Sequence, residues 1–240
     1  MADDFREALP ALLLAVVVLS AGCSGLPATD RQTSTPKPTV ENASYPSGWS
    51  QEGISDVSVA LQTHRATVNG TSRKSRMSVT ADDRNRTVVR TVDPDAGTAS
   101  VQLIDTEFDT DVHVYYSAEG VFEYDRTTDE LTRKPDQNWT AVRVASHEGV
   151  RRPLSNLELN ATEVVIVEGT TGVRYTVTGI RTPDSVPANT ASGHVIVAED
   201  GFIAEYDITR SNDEFTRQTR YDVSAFGNAT VARPAWMPEE

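Results

Sequence analysis

The sequence predicts an α+β fold: a large antiparallel sheet with one N-terminal helix and short helices covering it. Three observations predict it. Apolar residues recur at helical spacing over one stretch, from Ile54 to Val68. After Gly70 the period changes to two and holds for most of the chain. Between Trp139 and Leu159 the alternation weakens, and then it resumes.

The chain opens on an apolar run. Residues 8–21 are almost entirely Ala, Leu and Val, enough for a signal-peptide core and too few to span a bilayer as an ordinary helix. The run ends in Leu19-Ser20-Ala21-Gly22-Cys23. Ala21 and Gly22 supply the small side chains a signal peptidase needs, and the Cys23 thiol is the nucleophile that accepts a diacylglycerol group. The stretch resembles a lipobox, with Leu19 four residues before the cysteine and Ser20 in the usual leucine position. Residues 1–7 lack a positive n-region, and no twin arginine is present. The expected organisation is therefore a signal peptide at 1–22, a lipidated flexible tether at 23–45 and one domain at 46–240. The other reading of the same residues is an uncleaved membrane helix with an incidental cysteine. Both put the rest of the chain outside, with a lipid anchor at Cys23 expected to hold it on the extracellular face of the cell membrane.

Residues 24–45 are rich in Thr, Pro, Ser and Asp, too polar to offset the entropy of ordering, which is why they read as a tether. Ile54, Val57, Leu61 and Val68 then line one helical stripe, with Ser55 placed to cap its start and Asn69-Gly70 to end it. His64 lies on that stripe and reads as a partly buried packing residue rather than a ligand, because no His, Cys or acid sits a turn away. Strands are expected at 74–80, 87–92, 99–104, 112–116, 121–126 and 131–133, separated by turn-forming segments at 82–85, 93–97, 117–120 and 127–130. Val142, Val150, Leu154 and Leu157 predict one or two short helices interrupted by Gly149 and Pro153. Strands resume at 164–168, 173–180, 194–198, 202–209 and 215–223, with Glu199-Asp200-Gly201 a tight-turn signal. Trp49 and Trp236 are placed to staple the two chain ends to the domain.

Charge and composition narrow the function. The formal charge is −13, and the leader holds Asp3, Asp4 and Glu7 against Arg6, a net −2 that leaves −11 on the rest. That balance excludes nucleic acid as a partner. Of 22 basic residues only Lys37, Lys74 and Lys134 are lysine, the profile of a chain kept soluble at high salt by a hydrated acidic surface. A salt-loving archaeal source fits it. Cys23 is the one cysteine, so the exported domain has no disulfide and rests on its core. Six of nine asparagines begin Asn-X-Ser/Thr sequons, Asn42, Asn69, Asn85, Asn138, Asn160 and Asn228, which makes them candidate N-glycosylation sites.

Catalytic motifs are absent from the sequence. It has no Gly-X-Ser-X-Gly elbow, no His-Glu-X-X-His and no phosphate-cradling glycine loop, and His64, His113, His147 and His194 are far apart. The chain reads as a non-enzyme without a cofactor. One constellation could bind calcium: Asp105, Glu107, Asp109 and Asp111 alternate, so an extended segment would put four hard-oxygen groups on one face. Against it, the loop lacks the glycine turn of an EF-hand and Tyr116 occupies the closing position. A solvated acidic hairpin is the simpler reading, so no metal is expected.

Further segments carry a family likeness. Tyr45-Pro46-Ser47-Gly48-Trp49, Ala60-Leu61-Gln62-Thr63-His64-Arg65, Tyr221-Asp222-Val223, Gly227-Asn228-Ala229-Thr230-Val231 and Arg233-Pro234-Ala235-Trp236 resemble a family of haloarchaeal lipoproteins of no assigned function. The order of elements resembles the LolA-like carriers and the LprG and LppX lipoproteins. That resemblance implies a curved half barrel whose cleft accepts a hydrophobic or lipid-like ligand. The alternative is a structural or interaction module of the cell envelope, its half barrel filled by its own side chains and its partners other envelope proteins.

Overall fold

A computed structural model describes residues 38–137, 149–181 and 187–238. Lys37–Glu240 form one compact unit. Two short strands, β1 (Trp49–Ser50) and β2 (Gly53–Ile54), precede helix α1 (Val57–Asn69). Eleven longer strands follow: β3 (Arg73–Ala81), β4 (Arg84–Asp93), β5 (Thr98–Asp105), β6 (Thr110–Ser117), β7 (Gly120–Asp125), β8 (Glu130–Lys134), β9 (Leu157–Val167), β10 (Thr170–Ile180), β11 (Thr190–Ala198), β12 (Ile203–Ser211) and β13 (Thr216–Ser224). They form one antiparallel sheet in the order β8-β7-β6-β5-β4-β3-β13-β12-β11-β10-β9, open because β8 and β9 stand at opposite edges. The large open antiparallel sheet with few helices is the fold class the period-two pattern predicts. Each predicted strand is present, most of them longer by one or two residues at an end. β9 begins seven residues earlier than expected.

Four local expectations are corrected. Ile54 is not the first residue of the helix; it pairs with Trp49 in the small hairpin, and the cap is Asp56 rather than Ser55. The Asp56 Oδ1 atom accepts from the Ser58 N–H at 2.8 Å and the Val59 N–H at 3.0 Å, the two donors a helix start leaves open. Gly48 permits the hairpin: its φ is +85°, and a Cβ there would lie 2.3 Å from the Ala60 nitrogen, so the turn rests on the helix backbone. The segment 149–154 is helical through Pro153, which does not interrupt it, and Gly149 is its first described residue. Leu157 belongs to β9, because Asn156 takes a left-handed φ of 65° that ends the helix and turns the chain into the sheet. Val142 and Trp139 lie outside the described residues. The turn expected over four residues at 82–85 needs only Asp82 and Asp83, since Asn85 already pairs with Thr80.

Register divides the sheet into two faces. Tyr175, Val195, Tyr206, Tyr221, Met77, Val88, Leu103 and Val112 follow one another across eight strands, and this inner face is the one the helices cover. Ala60, Leu61 and Val68 of α1 and Val150 and Leu154 of the 149–154 helix pack on Leu157, Leu159, Val173, Tyr175, Val177, Val195, Tyr206, Ile208 and Tyr221. Burial of that many large apolar side chains is the main stabilising term of the unit.

His64 does more than fill space. It is 1 % exposed, and its Nδ1 accepts from the Ile203 N–H at 3.1 Å, tying α1 to the first residue of β12.

Both chain ends are fastened by tryptophan. Trp49 packs on Tyr175 at 4.9 Å between ring centroids, and Trp236 stacks on Tyr124 at 5.4 Å, on the outer face, beside Tyr115, Phe122 and Met237. The packed unit begins before Pro46. Residues Val40–Asn42 form a 3-10 turn, and the Tyr45 hydroxyl donates to the Val40 carbonyl at 2.5 Å while its ring faces Tyr175 at 6.5 Å.

Candidate ligand-binding face

Among the described residues, the helices cover only part of the inner face. Over β9 to β13 most of its apolar side chains are buried, with Ala161 and Val164 of β9 half-buried, whereas Val101 and Leu103 of β5 and Val112 and Val114 of β6 are all half-buried. These four share the inner face by register, Val101 opposite Val114 and Leu103 opposite Val112. The outer face of β4 to β6 is mixed, with Thr87, Thr91, Ser100, Gln102 and His113 beside Val89, Ile104 and Tyr115. At the margin of the filled half, the Tyr206 hydroxyl donates to the Gly149 carbonyl at 2.6 Å, and Arg210 holds the carbonyls of Pro153 and Ser155 at 2.7 and 2.9 Å. The 149–154 helix is thereby pinned over β12.

Arg90 of β4 sits in the half-buried part. On the inner face it lies between Ser75 of β3 and Val101 of β5, with Val88 and Val92 before and after it on its own strand, 3 % and 1 % exposed. Burial pushes its guanidinium below the ordinary value, and the neighbouring groups that act on it are Tyr221, Arg86, Tyr116 and Tyr206, none of them a carboxylate. Among the described residues it makes no hydrogen bond and no ion pair. Sequence reasoning missed it, although the signal was present: in Val88-Val89-Arg90-Thr91-Val92 the arginine has the parity of the two buried valines.

The carboxylates singled out in the sequence do not converge. Residues 106–109 are a hairpin turn, with Asp105 and Asp111 on the two strands and Asp109 at a left-handed φ of 47°. Three of the four face cations: Asp105 lies 3.8 Å from Arg86, Glu107 3.1 Å from Arg84 and Asp111 3.1 Å from Arg126. No group of three His, Cys, Asp or Glu among the described residues is arranged to hold a metal ion. An open cleft of about 240 Å³ adjoins this hairpin, lined by Val79, Arg84, Asp105, Phe108 and Arg217 among others, with Phe108 72 % exposed.

The described histidines also stay apart. His64 is buried under α1, whereas His113 on β6 and His194 on β11 lie on the outer face six strands apart, about 29 Å at ordinary strand spacing. His194 Nε2 pairs with Glu205 at 2.7 Å, and His113 Nε2 lies 3.2 Å from Asp111 without hydrogen-bond alignment. His147, Cys23 and Asn138 are outside the described residues. Of the other sequons, Asn42, Asn85, Asn160 and Asn228 are exposed and Asn69 is half-buried at the end of α1. No helix among the described residues is long and apolar enough to cross a membrane.

What the fold and this face define is an open antiparallel half-sheet, filled on one side and apolar on the other. No protein-family model matches the chain, and no curated protein matches its sequence. Solved structures similar to it include the lipoprotein LppX of Mycobacterium tuberculosis, 12 % identical, covering 71 % of this chain and 94 % of that one with a TM-score of 0.39. The MucA/MucB complex of Pseudomonas aeruginosa is 13 % identical, covering 73 % and 58 % with a TM-score of 0.36. A LolA superfamily protein of Nitrosomonas europaea is 6 % identical, covering 73 % and 94 % with a TM-score of 0.26.

Proposed function

We propose that the chain is a non-enzymatic lipoprotein, anchored through Cys23 on the extracellular face of a haloarchaeal cell membrane, that binds or passes on a hydrophobic or lipid-like ligand. The observation that carries the ligand is the contrast within one sheet face: apolar side chains mostly buried over β9 to β13, half-buried at Val101, Leu103, Val112 and Val114. An apolar face beside a filled one, with few polar groups set into it, is the ordinary form of a small-ligand site. The exposed sequons at Asn42, Asn85, Asn160 and Asn228 support glycosylation of an exported surface. The formal charge of −13 with three lysines supports life in high salt.

Native mass spectrometry of Lys37–Glu240, purified from its own host in high salt without detergent, tests the ligand. A reproducible extra mass that disappears on solvent extraction is expected. A bare polypeptide mass, glycans aside, overturns the reading in favour of an envelope interaction module with no small ligand. The anchor has its own test. Replacing Cys23 with Ser should release the protein to the medium or leave it unprocessed, as followed by fractionation and intact mass, and unchanged membrane retention with normal cleavage refutes lipidation.

A further inference from the structure

Resting on the ligand-binding reading above, we propose that Arg90 selects the class of ligand: an acyl amphiphile whose head carries one anionic group, a carboxylate or a phosphate. The hydrocarbon lies on Val101, Leu103, Val112 and Val114, and the anion sits on the guanidinium. Three observations carry this. The first is the company other arginines keep. Arg73 and Arg210, neither of them exposed, donate to backbone carbonyls, Arg73 to Val68 and Thr71 and Arg210 to Pro153 and Ser155, while six others, Arg84, Arg86, Arg126, Arg174, Arg220 and Arg233, have a carboxylate within 4 Å. Those six lie at exposed or outer positions where a partner is cheap to supply and contributes little. Arg90, the one set into the apolar half of the inner face, has none among the described residues.

The second observation is that the nearest carboxylate in its row is already taken. Arg90, Val101, Val114 and Glu123 follow one another across β4 to β7, and Glu123 is held by Lys134 at 2.7 Å. An acidic partner one or two strands nearer, at Val114 or Val101, would satisfy Arg90 within the chain. Valine stands at both positions.

The third is the lining. Tyr206 and Tyr221, stacked at 5.2 Å, and Tyr116 are the aromatic groups near enough to act on the Arg90 charge, and none of them is a carboxylate. A half-buried guanidinium without a counter-charge among the described residues is costly to keep, and an entering anion lowers that cost while gaining a charge-assisted, bidentate contact. An uncharged lipid gains only the apolar contact. The discrimination is thus set by one residue.

The test uses the full lipid-modified chain in phosphatidylcholine nanodiscs at high salt. It is exposed to a photoreactive sixteen-carbon fatty acid or to the matching fatty alcohol, and labelled peptides are mapped. The acid should label β5 and β6 about ten-fold more than the alcohol, and inorganic phosphate in excess should not compete, since it lacks the chain. Arg90→Gln should lower acid labelling to the level of the alcohol while alcohol labelling stays the same, and Arg90→Lys should retain part of the preference. Thermal melting of each variant controls for folding, and without ligand Arg90→Gln should melt at the wild-type temperature or above it. Equal labelling of the wild type by acid and alcohol, or an acid preference that survives Arg90→Gln, overturns the role of Arg90 and leaves the ligand-binding reading standing. Competition by inorganic phosphate also overturns it, in favour of a simple anion site. If neither probe labels the wild type, the ligand-binding reading fails and this proposal with it.

Discussion

Between pH 10 and pH 12 the domain is expected to unfold in one cooperative step, driven by buried tyrosines. Tyr175 and Tyr206 are fully buried and Tyr221 is 5 % exposed. Burial pushes the Tyr221 hydroxyl up to about 12, and pushes those of Tyr175 and Tyr206 higher still. An unfolded tyrosine ionises near 10, so the folded state binds more protons than the unfolded one above that pH. Stability from these groups is therefore complete below pH 10 and is lost as pH rises through the window between the unfolded and folded values. Each tyrosine contributes about 1.4 kcal/mol of loss per pH unit. Three together reach about 8 kcal/mol by pH 12, comparable to the whole stability of an ordinary domain, about 5–15 kcal/mol. Lysine, the other group that titrates there, is represented by three residues only, so tyrosine dominates. Far-UV circular dichroism and phenolate absorbance recorded together should show part of the seven tyrosines titrating early and the rest only as structure is lost. Tyr175→Phe is the sharpest variant. Its hydroxyl has no hydrogen-bond partner among the described residues, so little is lost at pH 7, and the alkaline midpoint should rise by about half a pH unit. An unchanged midpoint would mean that Tyr175 reaches water before the sheet opens.

The strands were legible because the inner face of the sheet is mostly apolar, which writes a period of two into residues such as Val88 and Val92, Val101 and Leu103, or Val112 and Val114. The start of β9 was less so. Leu157-Glu158-Leu159-Asn160 alternates as a strand does, but Leu154 and Leu157 are also three apart, and local spacing cannot choose between the two. The choice is tertiary: Leu157 and Leu159 are each 2 % exposed against Trp49, Ile54 and Tyr175. The cap of α1 was missed for a similar reason. Ser55 and Asp56 are both good caps, and the pairing of Ile54 with Trp49 decides between them. His64 was placed on the buried stripe, yet its bond to the Ile203 N–H joins residues 139 positions apart. No periodicity reports such a contact. Arg90 was hidden differently: its parity was visible, but the lack of a partner depends on what stands beside it two and three strands away.

Replacing Gly193 with Ala is expected to be the most damaging of the small substitutions, costing more than about 4 kcal/mol. Gly193 lies within β11, opposite Ile208, with a φ of +125°, a conformation L side chains rarely adopt, and a Cβ there would stand 1.9 Å from the Asp207 carbonyl oxygen. That oxygen cannot retreat. Asp207 belongs to β12, which is paired on both sides, to β11 and to β13. Its side chain is fixed by Gln218 at 2.8 Å and by Arg220 at 2.9 Å. The neighbours Tyr206 and Ile208 are 0 % and 1 % exposed, so shifting β12 would disturb the core under α1. Gly169 separates the two contributions: its φ is +80°, but nothing lies within 4 Å of its added Cβ. Gly169→Ala should therefore cost only the backbone penalty, about 1–2 kcal/mol. Urea unfolding of both variants beside the wild type measures the difference. If the two cost the same, the close approach of β11 to the Asp207 carbonyl does not exist in solution, and the register of β11 on β12 near the bulge between Ile196 and Val197 would have to be redrawn.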